Sequence, residues 1–373
     1  MRIGFDGKRV VQNFTGLGNY SRFILNLLVQ HFPENEYFVY TPKKAPNNIN
    51  FPKDFSFRHP AQHKLSSLWR SYGIVKDLKK DSISLYHGLS NELPLSIAKS
   101  NIPSVVTIHD LIFLRFPQFY PAIDRLIYRY KFKYACKNAT RIIAVSQQTK
   151  QDIVQFFDIP EDKIDVVYQG CNSIFKSSIA ADQLEKLRIK YELPASFLLQ
   201  VGTIEERKNL LLTVKALKGI PSDVKLVVIG KKTDYAKEVA EYVTENKLEN
   251  RVKFLRNVPL EDLPAIYQLA KIFIYPSEFE GFGIPIIEAL YSAVPVIGAT
   301  GSCLEEAGGP GSCYIHPKDD IQLSWTINSI LNNPEKGEAM VKAGLEYVKN
   351  FNELHLAENL MNVYQKALNQ NNA

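Results

Sequence analysis

The chain has 373 residues, of which 45% are hydrophobic and 23% are charged, and its formal net charge is +6 at pH 7. This length predicts two or three domains, and the composition is that of a soluble globular protein with a full core. No segment contains 18 uninterrupted apolar residues, and no apolar run follows MRIGFDGKR, so we expect neither a membrane-spanning helix nor a signal peptide.

The spacing of the cysteines and the distribution of charge along the chain indicate which binding partners to expect. The four cysteines lack metal-binding spacing, so we expect reduced thiols packed as small hydrophobic residues: Cys136, Cys171, Cys303 and Cys313. Residues 1–178 carry 24 Lys and Arg against 14 Asp and Glu, whereas the remainder carries 21 against 25. Such a split indicates that the first half meets something anionic. Scattered basic residues and the lack of a nucleic-acid module favour a membrane surface or an acidic, lipid-linked acceptor over nucleic acid.

Strands and helices alternate along the chain, which predicts a parallel α/β architecture. In the first half we predict strands at RIGFD, YFVYT, ISLYHG, PSVVTIHD, TRIIAVS and IDVVYQG. TGLGNYSRFILNLLVQHF predicts an amphipathic helix, with Gly16 and Gly18 leading into it. Helices are also predicted at LSSLWRSYGIVKDLKK and PAIDRLIYRYKFKYACKNA, and residues 43–55 are predicted as a loop. The alternation breaks between Asn172 and Pro194, so we place the end of a first domain at residue 178.

A second series of elements fills residues 195–350, the predicted second domain. Its predicted strands are FLLQVG, KLVVIG, RVKFL, KIFIYPS and VPVIG, and a helix follows Asn209. Residues 351–373 contain a final helix with apolar residues at 354, 356, 360, 363 and 367. Two Rossmann-like halves place ligands at the carboxyl ends of their strands. We therefore expect a cleft where those ends meet.

The stretch EGFGIP follows the predicted strand KIFIYPS. Gly281 and Gly283 bracket Phe282 where that strand ends, and Pro285 suits the first position of a helix because its missing N–H is unpaired there. Such a loop presents backbone N–H groups at the positive end of a helix. The stretch therefore predicts an anion-binding site.

Two glutamates flank this loop. Glu280 precedes Gly281, and Glu288 lies about one turn into the predicted helix. A carboxylate does not hold phosphate but accepts hydrogen bonds from hydroxyls beside it. The pattern suits a ligand that carries both phosphate and polyol, whereas the alternative is that both glutamates are solvated, as most charged residues are.

Cations and a histidine occur at two further strand ends. FLLQVGTIEERKN carries Gly202 at the end of a strand, followed by Arg207 and Lys208, which could stabilise a leaving diphosphate or could simply be solvated. His109 follows SVVTI with Asp110 beside it, and it reads equally well as a structural histidine or as a functional one.

These motifs together resemble the retaining family-four glycosyltransferases (glycosyl transferases group 1). The resemblance rests on TGLGNY, TIHDLIFL, GTIEERKN, EGFGIPIIEAL and VPVIGATGS, covers nearly the whole chain, and is strongest from Gly202 to Gly308. It implies the GT-B fold, which is an α/β fold of two Rossmann-like domains facing each other across a cleft. It also implies that the final helix crosses back onto the first domain.

The resemblance also implies roles for the residues above. Arg207 and Lys208 would hold the donor diphosphate, Glu288 the ribose hydroxyls and Glu280 the hydroxyls of the donor sugar, with the backbone of Gly281, Phe282 and Gly283 completing the cradle beside Gly202. His109 would lie near the anomeric carbon, with Asp110 beside it in the sequence. Gly16 and Gly18 would lie near donor or acceptor phosphates. They do not indicate an NAD site, because nine residues separate them from the first strand and the second strand has no acidic residue for a ribose.

The implied activity is retaining transfer of a hexose, with mannose the first candidate, from a UDP- or GDP-sugar to a hydroxyl of a glycan or lipid-linked glycan in bacterial surface polysaccharide synthesis. No D-x-D triplet occurs, so neither a metal nor another cofactor is expected, and no nucleophile is evident, which favours a front-face mechanism. Arg256 and Asn257 replace the family's usual glycine, which leaves the base open. The alternatives are a nucleotide-sugar epimerase of the same fold and a non-catalytic binding protein.

One predicted helix suggests where in the cell the protein is located. Arg125, Arg129, Lys133 and Lys137 recur every four residues, and the aromatic residues Tyr128, Tyr130, Phe132 and Tyr134 lie among them. A solvated helix face and an anionic lipid surface both explain this pattern. We hypothesise a cytoplasmic protein that docks peripherally on the inner face of the membrane.

Overall fold

A computed structural model describes residues 1–13, 16–43, 55–60 and 68–370. The chain forms two compact units, of which one combines Met1–Gln169 with Phe351–Ala373 and the other contains Gly170–Asn350. Each unit is built on one parallel sheet. The predicted α/β class is therefore confirmed.

The first unit contains seven strands in the order β3-β2-β1-β4-β5-β6-β7. They are β1 (Arg2–Asp6), β2 (Glu36–Tyr40), β3 (Phe55–Arg58), β4 (Leu85–Gly88), β5 (Ser104–Ile108), β6 (Arg141–Ala144) and β7 (Ile164–Val166). Ile3 of β1 pairs with Tyr37 on one side and Leu85 on the other. Strands β4, β5 and β6 are buried along their whole length because both faces of a parallel sheet are covered. Edge strand β3 was not predicted, because FSFR contains no apolar run.

Six α-helices are described beside this sheet before the chain enters the second unit. They are α1 (Lys8–Gln12), α2 (Gly16–His31), α3 (Ile74–Lys80), α4 (Ile112–Arg115), α5 (Ala122–Asn138) and α6 (Gln147–Phe157). A π-helical turn, Trp69–Gly73, leads into α3. Helix α1 was not predicted. Residues 65–67, which begin the predicted helix LSSLWRSYGIVKDLKK, and most of the predicted loop at 43–55 lie outside the described residues.

The second unit contains a six-stranded sheet in the order β10-β9-β8-β11-β12-β13. Its strands are β8 (Phe197–Val201), β9 (Lys225–Ile229), β10 (Val252–Leu255), β11 (Ile272–Tyr275), β12 (Val296–Ala299) and β13 (Cys313–Ile315). Its helices are α7 (Ala181–Lys190), α8 (Leu210–Ala216), α9 (Tyr235–Glu245), α10 (Leu263–Leu269), α11 (Ile284–Tyr291), α12 (Leu304–Gly308), α13 (Asp320–Leu331) and α14 (Pro334–Tyr347). The five strands predicted from the sequence are all present, and β13 is the additional one.

The final helix, α15 (Glu353–Gln370), packs with the first unit, as predicted. Its buried residues Leu356, Leu360 and Val363 join one core cluster with α2 on a face of the first sheet. The apolar stripe therefore determines the docking, although Leu354, which we placed on that stripe, is 53% exposed. None of the described helices combines the length and the apolar character needed to cross a membrane.

Two details refine the sequence-based description. Residues 170–178 belong to the second unit, since the ring of Phe175 packs edge-on against Tyr267 and the amide of Gln268 donates to the Ser177 carbonyl. The junction therefore lies before residue 178, the predicted end of the first domain. The four cysteines form no disulfide; three of them are buried, as predicted, whereas Cys313 is only half-buried.

Candidate active site

An ion pair between Arg207 and Glu280 joins two strand ends of the second unit. Arg207 lies in a 3₁₀ turn (Glu206–Lys208) beyond β8, and Glu280 lies in the loop beyond β11. Arg207 Nη1 is 2.7 Å from Glu280 Oε2, and Arg207 Nη2 is 2.6 Å from Glu205 Oε1. Arg207 Nη1 also donates to the Phe279 carbonyl. These contacts bring two of the predicted site residues together.

Three further side chains surround the Glu280 carboxylate. The hydroxyls of Tyr275 and Ser277 each donate to Glu280 Oε1 at 2.9 Å. Lys208 Nζ donates to the Tyr275 hydroxyl at 2.9 Å and lies 3.8 Å from the same carboxylate oxygen. Burial alone would raise the pKa of Glu280, but the charges of Arg207 and Lys208 outweigh it and lower the pKa to about 2. Glu280 is therefore an ionised hydrogen-bond acceptor at neutral pH.

Gly202 makes room for Lys208. Its φ is +141°, in a region that side chains rarely adopt, and a Cβ there would lie 2.8 Å from Lys208 Nζ. The glycine at the end of β8 therefore lets the ammonium pass close to the backbone. This packing role complements the donor-site role implied by the resemblance.

The loop of Gly281, Phe282 and Gly283 leads directly into α11, which starts at Ile284 with Pro285 in its first turn. Phe282 is buried, and Gly283 has a φ of +123°. The buried Cys303 thiol donates to the carbonyls of Glu280 and Phe282, at 3.0 and 3.1 Å. Cys303 thus holds the two sides of the loop together, a role that the sequence pattern did not indicate.

Glu288 of α11 lies at the other end of a row of aromatic rings. Tyr275, which contacts Glu280, stacks with Phe273 at 5.9 Å, and Phe273 lies 5.1 Å from Tyr267. The Tyr267 hydroxyl donates to Glu288 Oε2 at 3.0 Å. Burial raises the pKa of Glu288 to about 7, only partly offset by this hydrogen bond and by the charge of Lys208. The pKa values of the two glutamates that flank the glycine loop are therefore shifted in opposite directions.

In the first unit, His109 follows β5 and is buried. Its Nε2 donates to the Leu89 carbonyl at 2.9 Å, and its backbone N–H donates to Asn91 Oδ1 at 2.8 Å. Because a carbonyl only accepts, the proton lies on Nε2, and Nδ1 accepts from the Gln169 amide at 3.4 Å. Burial lowers the pKa of His109 to about 4, so the ring is neutral at pH 7. The neighbouring Asp110 accepts from the Ile112 N–H at the start of α4.

A buried hydrogen-bonded chain connects α15 with the surroundings of His109. The Tyr364 hydroxyl lies 2.7 Å from His87 Nδ1, and His87 Nε2 lies 2.8 Å from Thr107 Oγ1. Thr107 Oγ1 is in turn 3.1 Å from the Tyr20 hydroxyl, and the Tyr20 ring packs edge-on against His109 with centroids 4.6 Å apart. Tyr20 thus packs directly against the candidate site histidine.

Gly16 and Gly18 lie within the first turn of α2, whereas we had placed them ahead of the helix. A Cβ at Gly18 would lie 1.8 Å from the Asn13 carbonyl oxygen, so close backbone packing requires glycine there. A Cβ on Gly16 would meet no atom within 4 Å. Of the two glycines, only Gly18 has a structural requirement among the described residues.

The basic helix α5 differs in one respect from the hypothesis. Tyr128 and Phe132 pack against Phe113 in the core and do not face outwards with the basic residues. The exposed face instead carries aliphatic side chains, which the emphasis on aromatic residues had missed.

The fold is shared with solved structures. Sucrose-phosphate synthase from Thermosynechococcus elongatus has a TM-score of 0.82 and 21% identity, covering 99% of this chain and 100% of that one. HepE of Anabaena in complex with UDP and glucose has a TM-score of 0.77 and 18% identity, covering 98% of this chain and 99% of that one. The chain therefore has the GT-B fold, as predicted.

Sequence comparison matches one family model to each half of the chain. The family described as Glycosyl transferases group 1 matches residues 185–347, and Glycosyltransferase Family 4 matches residues 24–173. The O-antigen chain mannosyltransferase B of Escherichia coli is 29% identical over 287 residues, which are 75% of this chain and 74% of that protein. The two models match different halves of the chain, and together with the mannosyltransferase relative they support a glycosyltransferase.

Proposed function

We propose that this glycosyltransferase moves a hexose from a nucleotide-diphosphate sugar to a hydroxyl of a glycan or lipid-linked glycan, with retention of configuration and without a metal ion. The observation that carries the proposal is the cluster of Arg207, Lys208 and Glu280 beyond the ends of β8 and β11. The mannosyltransferase relative supports mannose as the sugar and surface polysaccharide as the product. The HepE complex supports a nucleotide donor, with UDP in that protein.

Arg207 and Lys208 supply the positive charge that a departing diphosphate requires. Arg207 is nearly enclosed and held by two carboxylates, so its guanidinium is oriented before any ligand arrives. Lys208 adds a point charge whose position Gly202 permits. The first turn of α11 adds the positive end of a helix dipole.

Glu280 accepts hydrogen bonds from hydroxyls of the donor sugar. With a pKa of about 2 it is a poor proton acceptor, and its pairing with Arg207 weakens it as a nucleophile. We therefore favour a front-face reaction. The acceptor oxygen bonds to the anomeric carbon on the side from which the diphosphate leaves, the bond from that carbon to the phosphate oxygen breaks, and the acceptor proton passes to that oxygen.

His109 contributes a neutral imidazole on the acceptor side. Its Nε2 proton is committed to the Leu89 carbonyl, so the ring offers Nδ1 as an acceptor for a sugar hydroxyl in place of the long Gln169 contact. We further propose that the first unit contacts anionic lipid at the inner face of the membrane through α5. Co-sedimentation with anionic vesicles that is indistinguishable from neutral vesicles at low salt would exclude this contact.

The decisive experiment is incubation with a panel of labelled UDP- and GDP-hexoses, with and without a membrane lipid extract. A transferase forms labelled product only with the acceptor, and NMR of the new linkage reports retention. An epimerase would release nucleotide without an acceptor, and a binding protein would bind donor without turnover. Glu280→Gln should lose activity while Glu278→Gln, two residues away, should keep it, and equal activity of both variants would refute the assigned role of Glu280.

A further inference from the structure

The loop that follows β4, residues 89–92, turns back sharply onto the end of β5. The turn requires glycine at position 88, because a Cβ on Gly88 would lie 2.2 Å from the Glu92 carbonyl oxygen. Within the loop, Asn91 has a φ of +62°, in the left-handed region that asparagine tolerates better than most residues. Asn91 is also buried. A buried amide in a sparsely populated backbone conformation indicates a contact that the surrounding structure needs.

Asn91 takes the place of a strand residue beside β5. Its backbone N–H donates to the Thr107 carbonyl at 2.9 Å, and its side-chain Oδ1 accepts from the His109 N–H at 2.8 Å. In a parallel ladder, a strand residue makes both of these bonds with its backbone, to two residues that lie two positions apart. Here the side-chain oxygen accepts the second bond in place of the backbone carbonyl. Asn91 therefore extends the pairing past Ile108, the last residue of β5, and fixes the backbone of His109.

The same loop fixes the imidazole ring of His109. The Leu89 carbonyl accepts from Nε2 at 2.9 Å, and the Tyr20 ring packs edge-on against the imidazole with centroids 4.6 Å apart. Nδ1 is then the acceptor nitrogen, which the Gln169 amide contacts at 3.4 Å. The loop thus holds both the point from which the side chain starts and the nitrogen that carries the proton.

The left-handed conformation by itself does not explain the buried amide of Asn91. Asn101 and Asn257 have similar φ values, +59° and +53°, and both are exposed. An asparagine can therefore form such a turn in this protein with its side chain at the surface. What distinguishes Asn91 is that its amide oxygen binds the backbone of His109.

We propose that Asn91 is a positioning residue for sugar transfer: its Oδ1 fixes the backbone of His109, so that the Leu89 carbonyl holds the imidazole in one tautomer with Nδ1 available to a sugar hydroxyl. The inference rests on the proposed function of His109. Asn91 acts through His109 and not on the substrate directly. Without Oδ1 the end of β5 loosens, the ring leaves the Leu89 carbonyl part of the time, and the transfer step slows.

Three variants separate the side-chain oxygen from the turn. Asn91→Gly keeps the left-handed conformation and removes the oxygen, whereas Asn91→Asp keeps both the conformation and an oxygen at the same distance from the backbone. Asn101→Gly is the matched control, because it makes the same change at an exposed position with nearly the same φ. Circular dichroism checks that each variant folds. Asn91→Ser, whose hydroxyl is one bond shorter, replaces Asn91→Gly if that variant does not fold.

NMR of the full chain with ¹⁵N-labelled histidine reads the ring directly. His109→Gln identifies the His109 signals among those of the seven histidines. The unaltered protein, Asn91→Asp and Asn101→Gly should show His109 as the single tautomer protonated on Nε2, whereas Asn91→Gly should show a mixture of both tautomers. An oxygen that only stabilised the turn would change the melting temperature without mixing the tautomers. A single, unchanged tautomer in Asn91→Gly would overturn the proposal.

Kinetics test whether this positioning serves the reaction. Asn91→Gly should lower kcat by about tenfold or more, because a small misplacement of a reacting group is costly, and Asn91→Asp should restore most of it. The donor KM should stay within about twofold, since the predicted donor residues lie in the second unit. In the His109→Gln background, Asn91→Gly should cause no further loss of kcat. A loss of the same size in both backgrounds would show that Asn91 does not act through His109.

The role of Asn91 and the proposed function fail separately. If Asn91→Gly mixes the tautomers but the unaltered protein transfers no sugar in the donor panel, the transferase proposal falls and the control of the ring by Asn91 stands. If sugar transfer occurs but Asn91→Gly keeps the single tautomer and an unchanged kcat, the role of Asn91 falls and the transferase proposal stands.

Discussion

Glu288 should make both the stability and the donor affinity of this protein depend on pH near neutrality. Its folded-state pKa of about 7 lies above the ordinary value of 4.5, so the folded protein favours the protonated form. The contribution of protonated Glu288 to the free energy of unfolding is therefore complete below pH 4.5. It is lost as the pH rises through 7. The difference of about 2.5 between the folded and ordinary pKa values of Glu288 corresponds to about 3 kcal/mol in the free energy of unfolding. Because Glu288 is only partly buried, solvent screening lowers the expected effect to about 2 kcal/mol.

Glu288→Gln keeps a hydrogen-bond acceptor for Tyr267 and removes the titration. The variant should therefore be more stable than the unaltered protein at pH 8, by about 2 kcal/mol, and nearly equal to it at pH 5. For a unit of this size, that difference raises the melting temperature by about 4–8 °C. Scanning calorimetry measures the shift, and hydrogen exchange of peptides covering residues 284–291 identifies the transition. Glu338→Gln, an exposed change on α14, should show no such pH dependence.

The same titration should appear in donor binding. If the ionised carboxylate accepts hydrogen bonds from ribose hydroxyls, donor affinity should fall about tenfold between pH 8 and pH 6, in proportion to the ionised fraction. Glu288→Gln should bind more weakly at pH 8, with an affinity that no longer changes with pH. A pH-independent affinity in the unaltered protein, or a stability difference that is the same at pH 5 and pH 8, would refute the reasoning.

Three further predictions follow from individual contacts. Glu280→Gln should lower turnover at least 100-fold. Because the lowered pKa of the Glu280 carboxylate stabilises the folded state above pH 4.5, the variant should also destabilise the second unit by about 3 kcal/mol at pH 7. Urea unfolding measures this loss, and an unchanged midpoint would contradict the ion pair with Arg207. Gly202→Ala should weaken donor binding about tenfold in titrations because the new Cβ displaces Lys208 and strains the backbone by roughly 1–3 kcal/mol, whereas Gly337→Ala in α14 should bind normally. Tyr364→Phe should lower the stability of the first unit by about 1–3 kcal/mol because a buried nitrogen of His87 loses its partner, and an unchanged melting temperature would show that this hydrogen bond is dispensable.

The motifs that carry the candidate site were readable because their chemistry is local. The backbone preferences of residues 281–285 predict a turn after the strand and the start of a helix. In the structure α11 begins at Ile284. The apolar strands of both sheets were readable for a similar reason, since strands covered on both faces leave continuous apolar runs. Strand β3 was missed because FSFR contains no apolar run, and β13 was missed because its three residues, CYI, lie between glycine- and proline-containing segments.

Sequence patterns were enough to predict the α/β class and the residue types of the candidate site, and the family resemblance predicted the return of α15 to the first unit. Tertiary structure decided the electrostatics of that site: Glu280 and Glu288 look alike in the sequence, yet one pairs with Arg207 and the other meets only Tyr267. It also decided which face of α5 points outwards, because residues distant in the sequence, such as Phe113, select the helix face that enters the core. Side-chain environments depend on such non-local contacts, and no local pattern encodes them.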